Sequence, residues 1–328
     1  MFYPVNAFFA VVLAVGACGS AVAGTTGAEP GARMFTGTVS EWAVPTPRYP
    51  RDPAIGRDGN VYFAVKRGDK IARFDPRSQR FHEWAAPEGS WPQGLVVTSD
   101  GKVIFGGTGL GELDPSTGAV RQYKRPAKDG GLIYSLTSGP DETIWFTARN
   151  IGKLGKLERS SGRITEFAIG DDPYGIAVDR RGHVWVTRKS ADRLTRFDPA
   201  TSQITDLVFP RGSQPRRVTA TADGSLWVTL YGTGRLAKID PITVMVVKEY
   251  LLPGGPNGGP YAVNADAAGR IWICEVQTDQ VIMLNPASDT IRVFKLPTRD
   301  GGVRNAAIDA QGRYWYIGSI SGKLGVID

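Results

Sequence analysis

The sequence predicts an all-β fold: a seven-bladed β-propeller of four-stranded blades, with the last blade closed by the N-terminal strand. Three observations predict it. Large residues recur every 40 to 45 positions, at Tyr62, Ile104, Trp145, Trp185, Trp227, Trp272 and Trp315, which is the self-similarity of a repeat architecture. A tight-turn signal precedes each of them. Finally, the two ends of the repeat carry incomplete units that complement each other.

The elements of one unit follow in order. The turns read Arg57-Asp58-Gly59, Ser99-Asp100-Gly101, Pro140-Asp141-Glu142, Arg180-Arg181-Gly182, Ala222-Asp223-Gly224, Ala267-Ala268-Gly269 and Ala310-Gln311-Gly312. Asp-Gly and its relatives supply the positive φ that a hairpin needs. They join a first strand to the second strand that carries the repeating large residue. A third strand reads KIARFDP, RLTRFDP, RLAKIDP or KLGVID and ends at Asp75, Asp114, Glu158, Asp198, Asp240, Asn285 and Asp328. Pro usually follows and stops it. A fourth strand reads FHEWAAP, VRQYKRP, ITEFAIG, ITDLVFP, VKEYLLP or IRVFKLP. Four short alternating strands per unit is the pattern of a propeller blade.

The seventh unit stops at Asp328 after three strands, while Val39 to Pro45 (VSEWAVP) is a fourth-type strand with no unit before it. Pairing the two closes the ring and hides both sheet edges. The propeller is therefore read over residues 39–328.

Composition agrees. The 41 Gly and 22 Pro of 328 residues are scattered as turn residues, the hydrophobic share of 41% is that of a globular chain, and the length holds a sizeable core. A net charge of +7 admits an anionic ligand or surface without signalling nucleic acid, and none is expected as a partner. Two Cys exclude a disulfide framework and a Cys-rich zinc site. Two His, His82 and His183, leave little for a His-based relay. His82 falls in an outer strand and His183 in a turn, so both read as surface or strand residues.

Residues 1–23 read as a signal peptide. The apolar run Ala7–Ala17 is shorter than the ~20 residues of a membrane span, and Ala21-Val22-Ala23 fits a cleavage site, although no Lys or Arg precedes the run. Val15-Gly16-Ala17-Cys18 equally fits a lipoprotein signal with a lipid on Cys18. Residues 24–38 read as a linker. The expectation is an exported monomer, periplasmic or lipid-anchored in the cell envelope. Cys274 reads as a small core residue.

In a propeller the first strands line the central channel, and the loops before the first and after the second strand open on one face. The start of the first strand gives Arg51, Gln93, Tyr134, Tyr174, Arg216, Tyr261 and Arg304. The end of the second gives Arg188 and Glu275 beside the uncharged Val65, Gly107, Ala148, Leu230 and Gly318. Arg offers a fork to carboxylate or phosphate, and Tyr an apolar face with a polar tip. The first ring lacks an acidic residue, so Arg51, Gln93, Tyr134, Tyr174, Arg188, Arg216, Tyr261 and Arg304 form a candidate mouth for a planar or anionic ligand. Glu275 is expected near Arg216 and Arg304, in an ion pair that lowers its pKa. The alternative is a water-filled channel with a merely solvated lining. The run Leu252–Pro260 (LPGGPNGGP) is an inter-blade loop long enough to reach the mouth; with no GxxxxGK[ST] it is no phosphate loop.

The text P-Y-G-I-A-V-D-x-x-G-x-V-W-V-T at Pro173–Thr187, with Ile164-Thr165-Glu166-Phe167 and Gly152-Lys153-Leu154-Gly155-Lys156, resembles the streptogramin B lyase (virginiamycin B lyase) family. The resemblance runs from Val39 to Asp328 and implies a seven-bladed propeller. It also implies magnesium-dependent opening of a cyclic depsipeptide ester by elimination, with a His base at the first-strand start of the last blade and a second His one blade earlier. Here those positions hold Arg304 and Tyr261, and Gly318 and Ser319 stand where a Glu is expected. Glu275 keeps the family's acidic position. Arg, with a pKa above ~12, cannot act as an imidazole base. A metal-dependent lactonase would need several carboxylates converging on one ion, and only Glu275 is placed for that.

Three functions follow as expectations. The leading one binds an anionic small molecule or envelope component at the Arg/Tyr mouth. The second is a divergent lyase, with Tyr261 as acid/base, Glu275 as metal ligand and magnesium as cofactor. The third is an envelope scaffold that binds protein at its rim.

Overall fold

The computed structural model describes residues 32–34, 38–126 and 130–328. The stretch 1–23 read as a signal peptide, with Cys18, lies outside them, as does most of the segment 24–38. Seven sheets follow one another around a ring; in five the strands are hydrogen-bonded antiparallel in sequence order, and the other two each recruit a strand from the N-terminal part of the chain. Blade one comprises Pro50–Ile55, Val61–Val65, Lys70–Asp75 and Arg80–Ala85. Among the described residues, no helix is long and apolar enough to cross a membrane.

The turn signals act as their residue types require. The third residue of every turn has positive φ: Gly59, Gly101, Gly182, Gly224, Gly269 and Gly312, and in blade three Glu142. The repeating large residues all lie in second strands and pack outward onto the next blade. Trp227 meets Val263, Ile271 and Ile273 of blade six; Trp315 meets Val61, Phe63 and Phe74 of blade one. In three blades the indole N–H is satisfied by a turn aspartate: Trp185 donates to Asp179 at 2.8 Å, Trp272 to Asp266 at 2.9 Å and Trp315 to Asp309 at 2.7 Å. The same carboxylates accept turn N–H groups. One aspartate thus fixes both the hairpin and the core tryptophan above it, as buried polar groups demand.

The ring closes as expected. Val39–Ala43 pairs antiparallel with Lys323–Ile327. Glu41 fastens the seam, accepting from Tyr316 at 2.8 Å, Thr298 at 2.5 Å and Lys323 at 3.1 Å. Ala32–Met34, inside the stretch read as a linker, pairs in parallel with Ile291–Val293 and gives blade six a fifth strand.

Two local features shape the channel. First, six of the seven first strands break register with the second strand just after their start, for example between Pro173 and Ile176, Pro215 and Val218, and Arg51 and Ala54. Such a bulge re-aims consecutive side chains. Second, a hydroxyl on the second strand clips neighbouring blades together. Thr147, Thr187 and Thr229 donate to the carbonyls of Tyr174, Arg216 and Tyr261 in the next blade, at 3.0, 2.8 and 2.9 Å. They also accept N–H groups of Ser135, Gly175 and Arg217 from their own. Cys274 holds the same position in blade six: it accepts from Ala262 N–H at 3.2 Å and donates to the Val303 carbonyl at 3.3 Å. It is fully buried, and burial pushes its thiol up to about 12. At Gly175 the blades approach so closely that a Cβ would lie 2.5 Å from the Arg216 carbonyl oxygen.

Candidate functional site

The channel-mouth ring assembles largely where the strand register places it, but it is packed rather than open. Tyr174, Arg51 and Gln93 are 1%, 2% and 0% exposed, and Tyr134 and Tyr261 are buried. A water-filled tube with a solvated lining does not describe this level of the channel. Three phenols form its floor: Tyr134 and Tyr174 hydroxyls lie 2.7 Å apart, and Tyr174 also bonds Tyr261. The rings of Tyr134 and Tyr174 tilt against each other at 4.4 Å.

The bulges add residues that counting one side chain per blade missed. Asp52, Ser135 and Arg217 each follow a ring residue and also turn inward. Arg217 spans the channel, donating to Asp52 of blade one at 2.8 Å and to Ser135 of blade three at 2.6 Å. Arg51 stands 3.5 Å from the same Asp52. The inner ring is therefore not free of acid, as the first-position residues alone implied: Asp52 is buried in it. Two loop tyrosines were also missed. Tyr231, just after the second strand of blade five, lies 4.0 Å under the Arg216 guanidinium. Tyr49, just before the first strand of blade one, faces Arg51, Arg67 and Arg304 at 5.7, 5.1 and 5.7 Å. Both sit in loops that open on the mouth face, so the loop rule applied to every aromatic residue finds them. Arg149 completes the rim, 5.5 and 5.3 Å from the Tyr134 and Tyr174 rings and paired with Asp172.

Several buried polar atoms on this surface have no hydrogen-bond partner: the donors Nε and Nη2 of Arg51, Nε of Arg216 and of Arg217 and Nε2 of Gln93, and the acceptors Oδ1 of Asp52 and Oε1 of Gln93. Unpartnered buried donors converging on one mouth are what an anionic group satisfies.

The electrostatics follow from this geometry. Burial raises the pKa of Tyr134 and Tyr174. Burial also acts to raise that of Tyr261, but Arg51, Arg217 and the Tyr174 hydrogen bond outweigh it and bring its phenol down to about 8. Burial, with Arg51 and Arg67 nearby, lowers that of Lys66.

Two expected placements need correction. Arg188 does not join the ring; it turns to Asp206 of its own blade, 3.3 Å away, and to the Asp171 carbonyl at 3.5 Å. Glu275 is not paired with Arg216 or Arg304. The glycine-rich loop folds over it instead, with Gly254 N–H donating at 3.1 Å and Thr278 at 3.0 Å, and with Gln280 as a third donor. The loop can do so because Gly254 and Gly258 bring backbone where a Cβ would lie 2.4 and 2.5 Å from the carboxylate oxygens. Burial therefore raises the Glu275 pKa, against those three donors, rather than arginines lowering it. Arg304 donates to the Gly302 carbonyl at 3.1 Å.

The residues present do not fit a magnesium centre of the lyase kind. Glu275 is satisfied by three donors, and no group of three or more His, Cys, Asp or Glu side chains gathers among the described residues. His82 is exposed in an outer strand, and the His183 ring stands beside the turn aspartate Asp179 at 3.2 Å. A cleft of about 510 Å³ opens on the mouth face beside Tyr49, Arg67, Ser319 and Ile320. A slightly larger one, about 530 Å³, lies on the opposite face among Glu112, Asp141, Glu142 and Glu158, and has no part in the mouth.

Fold and site together define a seven-bladed propeller with a cationic rim over a tyrosine floor. The family profile of the virginiamycin B lyases matches residues 108–328, and the chain belongs to the virginiamycin B lyase family. A stretch of 83 residues is 28% identical to virginiamycin B lyase of Streptomyces coelicolor; it spans 25% of this chain and only 27% of that protein. A solved streptogramin B lyase superposes with a TM-score of 0.81 at 25% identity, over 89% of this chain and 97% of the other. A catalytically inactive virginiamycin B lyase from Staphylococcus aureus, solved with quinupristin, gives 0.80 at 21% identity, over 88% and 98%. The hydrazine synthase of Kuenenia stuttgartiensis gives 0.75 at 16%, over 89% and 98%. The last two show likeness of fold alone.

Proposed function

We propose that this protein is an exported, lyase-like propeller that binds an anionic small molecule or cell-envelope component at its channel mouth. The observation that carries the reading is the imbalance of the floor: Arg51 and Arg217 are buried around a single carboxylate, Asp52, and several guanidinium N–H groups there have no partner. Arg216 and Arg304 stand at the rim to recognise a carboxylate or phosphate, and Tyr49 and Tyr231 offer aromatic faces for its body. Export rests on the N-terminal apolar run. The test is ligand-induced thermal stabilisation with a panel of mono-, di- and tricarboxylates, phosphates and muropeptide fragments. Arg216→Ala and Arg304→Ala should abolish stabilisation while leaving the fold intact; unchanged stabilisation rejects the mouth as the site.

A second reading, a divergent lyase, is favoured by one observation. Tyr261 occupies a position where the family carries a histidine, and its phenol is brought down to about 8, so it can take a proton near neutral pH. This reading predicts linearised product from quinupristin, lost in Tyr261→Phe. Absence of product across a panel of cyclic depsipeptides, with and without magnesium, rejects it.

A further inference from the structure

The seam between blades three and four is tied by one carboxylate. Asp172 sits two residues before the ring residue Tyr174, at φ 51°. It gathers three donors: Arg149, which follows the second strand of blade three, and Lys189 and Ser190, which follow the second strand of blade four. The same position before Arg51 of blade one holds Tyr49, at φ 60°, a conformation that Asp adopts readily and a bulky residue seldom. Backbone hydrogen bonds match the two seams: Lys189 N–H donates to the Asp172 carbonyl, and Lys66 N–H to the Tyr49 carbonyl, each at 3.2 Å. The three donor positions are then Ser319, after the second strand of blade seven, and Lys66 and Arg67, after that of blade one. The seam between blades seven and one thus keeps a serine, a lysine and an arginine and lacks the carboxylate that belongs among them.

Nothing else in the described residues supplies it. Arg48, Lys66, Arg67 and Arg304 pair with no carboxylate among them. The carboxylates of the adjoining strands and loops are engaged elsewhere: Asp52 by Arg217 at 2.8 Å, Asp69 by the Gly89 and Trp91 N–H groups at 2.9 and 2.8 Å, and Glu83 by Thr46 and Lys70, each at 2.7 Å. The Ser319 hydroxyl is buried and has no hydrogen-bond partner, a condition that buried polar groups rarely keep. The cleft of about 510 Å³ lies at this seam, lined by Ser319, Arg67, Arg48, Tyr49, Pro47 and Ile320. Its size suits a small molecule. Ile320, 62% exposed, and Pro47 give it an apolar wall beside the cations.

We propose that the seam between blades seven and one is a second carboxylate pocket, where an acid group of the ligand takes the place that Asp172 fills between blades three and four. Arg304 and Tyr49 belong both to this seam and to the rim of the mouth, so pocket and mouth are continuous. The ligand is then a dicarboxylate, with one acid at the mouth, the other among Ser319, Lys66 and Arg67, and its spacer along Tyr49 and Ile320. This ligand class rests on the anion-binding reading above; the seam pocket does not.

The test is titration calorimetry of the full chain with α,ω-dicarboxylates from malonate to suberate, each set against the monocarboxylate of equal length. In the wild type at least one dicarboxylate should bind about tenfold or more tightly than its monocarboxylate. Arg67→Ala, a change at an exposed position, should bring that dicarboxylate down to the level of its monocarboxylate and leave the monocarboxylate unchanged. Tyr49→Asp should do the same, because it rebuilds the internal carboxylate at a backbone angle that Asp172 already adopts. Dicarboxylates that bind no better than monocarboxylates, or an advantage that survives Arg67→Ala or Tyr49→Asp, overturn the seam pocket and leave the mouth reading standing. An advantage lost in both variants, with binding indifferent to Arg216→Ala, overturns the mouth reading and leaves the seam pocket. Absence of binding by every acid overturns both.

Discussion

Arg217 of blade five donates to Asp52 of blade one at 2.8 Å across the centre of the ring. The two residues are 165 positions apart, and neither occupies the first-strand position that periodicity assigns to the channel. Their meeting makes the centre of the propeller a charged, packed floor.

This pair should be costly to break from one side. Asp52→Ala leaves Arg51 and Arg217 buried without a carboxylate, and removing one partner of a buried pair costs about 3–5 kcal/mol. Denaturant unfolding should show the loss as a lower midpoint. A change below about 1 kcal/mol would mean that water reaches the floor.

Cys274 is a blade clip standing in for threonine. Cys274→Thr should be tolerated, since a hydroxyl does this work at Thr147, Thr187 and Thr229. Cys274→Val leaves the Ala262 N–H and Val303 carbonyl unpaired and should cost about 1–3 kcal/mol. Because burial holds the thiol near 12, thiol reagents should label it only as the protein unfolds, and labelling at the rate of a free thiol would contradict the assignment.

Glu275 gives a pH signature. Its folded pKa is raised by burial, so the folded state holds this proton more tightly than the unfolded chain does. Its contribution favours folding at low pH and is lost as pH rises from about 4.3 through the folded value. The wild type should therefore lose stability relative to Glu275→Gln as pH rises from 4 to 7. Parallel melting curves for the two proteins would show that the carboxylate is not buried.

Arg188 separates ring residues from their neighbours. It turns to Asp206 and away from the floor, so Arg188→Ala should leave anion binding unchanged while Arg216→Ala weakens it about tenfold or more. Equal losses in titration calorimetry would put Arg188 back in the site.

The N-terminal strand should be indispensable. A chain beginning after Ala43 leaves the outer edge of Lys323–Ile327 unpaired and removes Glu41, the acceptor for Tyr316, Thr298 and Lys323. Such a chain should lose its cooperative thermal transition; an unchanged melting temperature would refute the closure.

The sequence by itself determined the number of blades, their strand order, the closing strand and the ring of first-strand residues. All of these follow from local signals that repeat: a turn residue with positive φ, a large residue on the second strand, a proline after the third. It placed Tyr134, Tyr174 and Tyr261 together because one register held in each blade. Tertiary structure alone decided what those residues meet. The bulge after the first-strand start turns a second side chain inward in blades one, three and five, which brings Asp52, Ser135 and Arg217 to the floor. The folding of Gly254–Gly258 over Glu275 removes that carboxylate from the arginines. Both depend on how closely backbones from different blades approach, and that distance is set by packing around the whole ring.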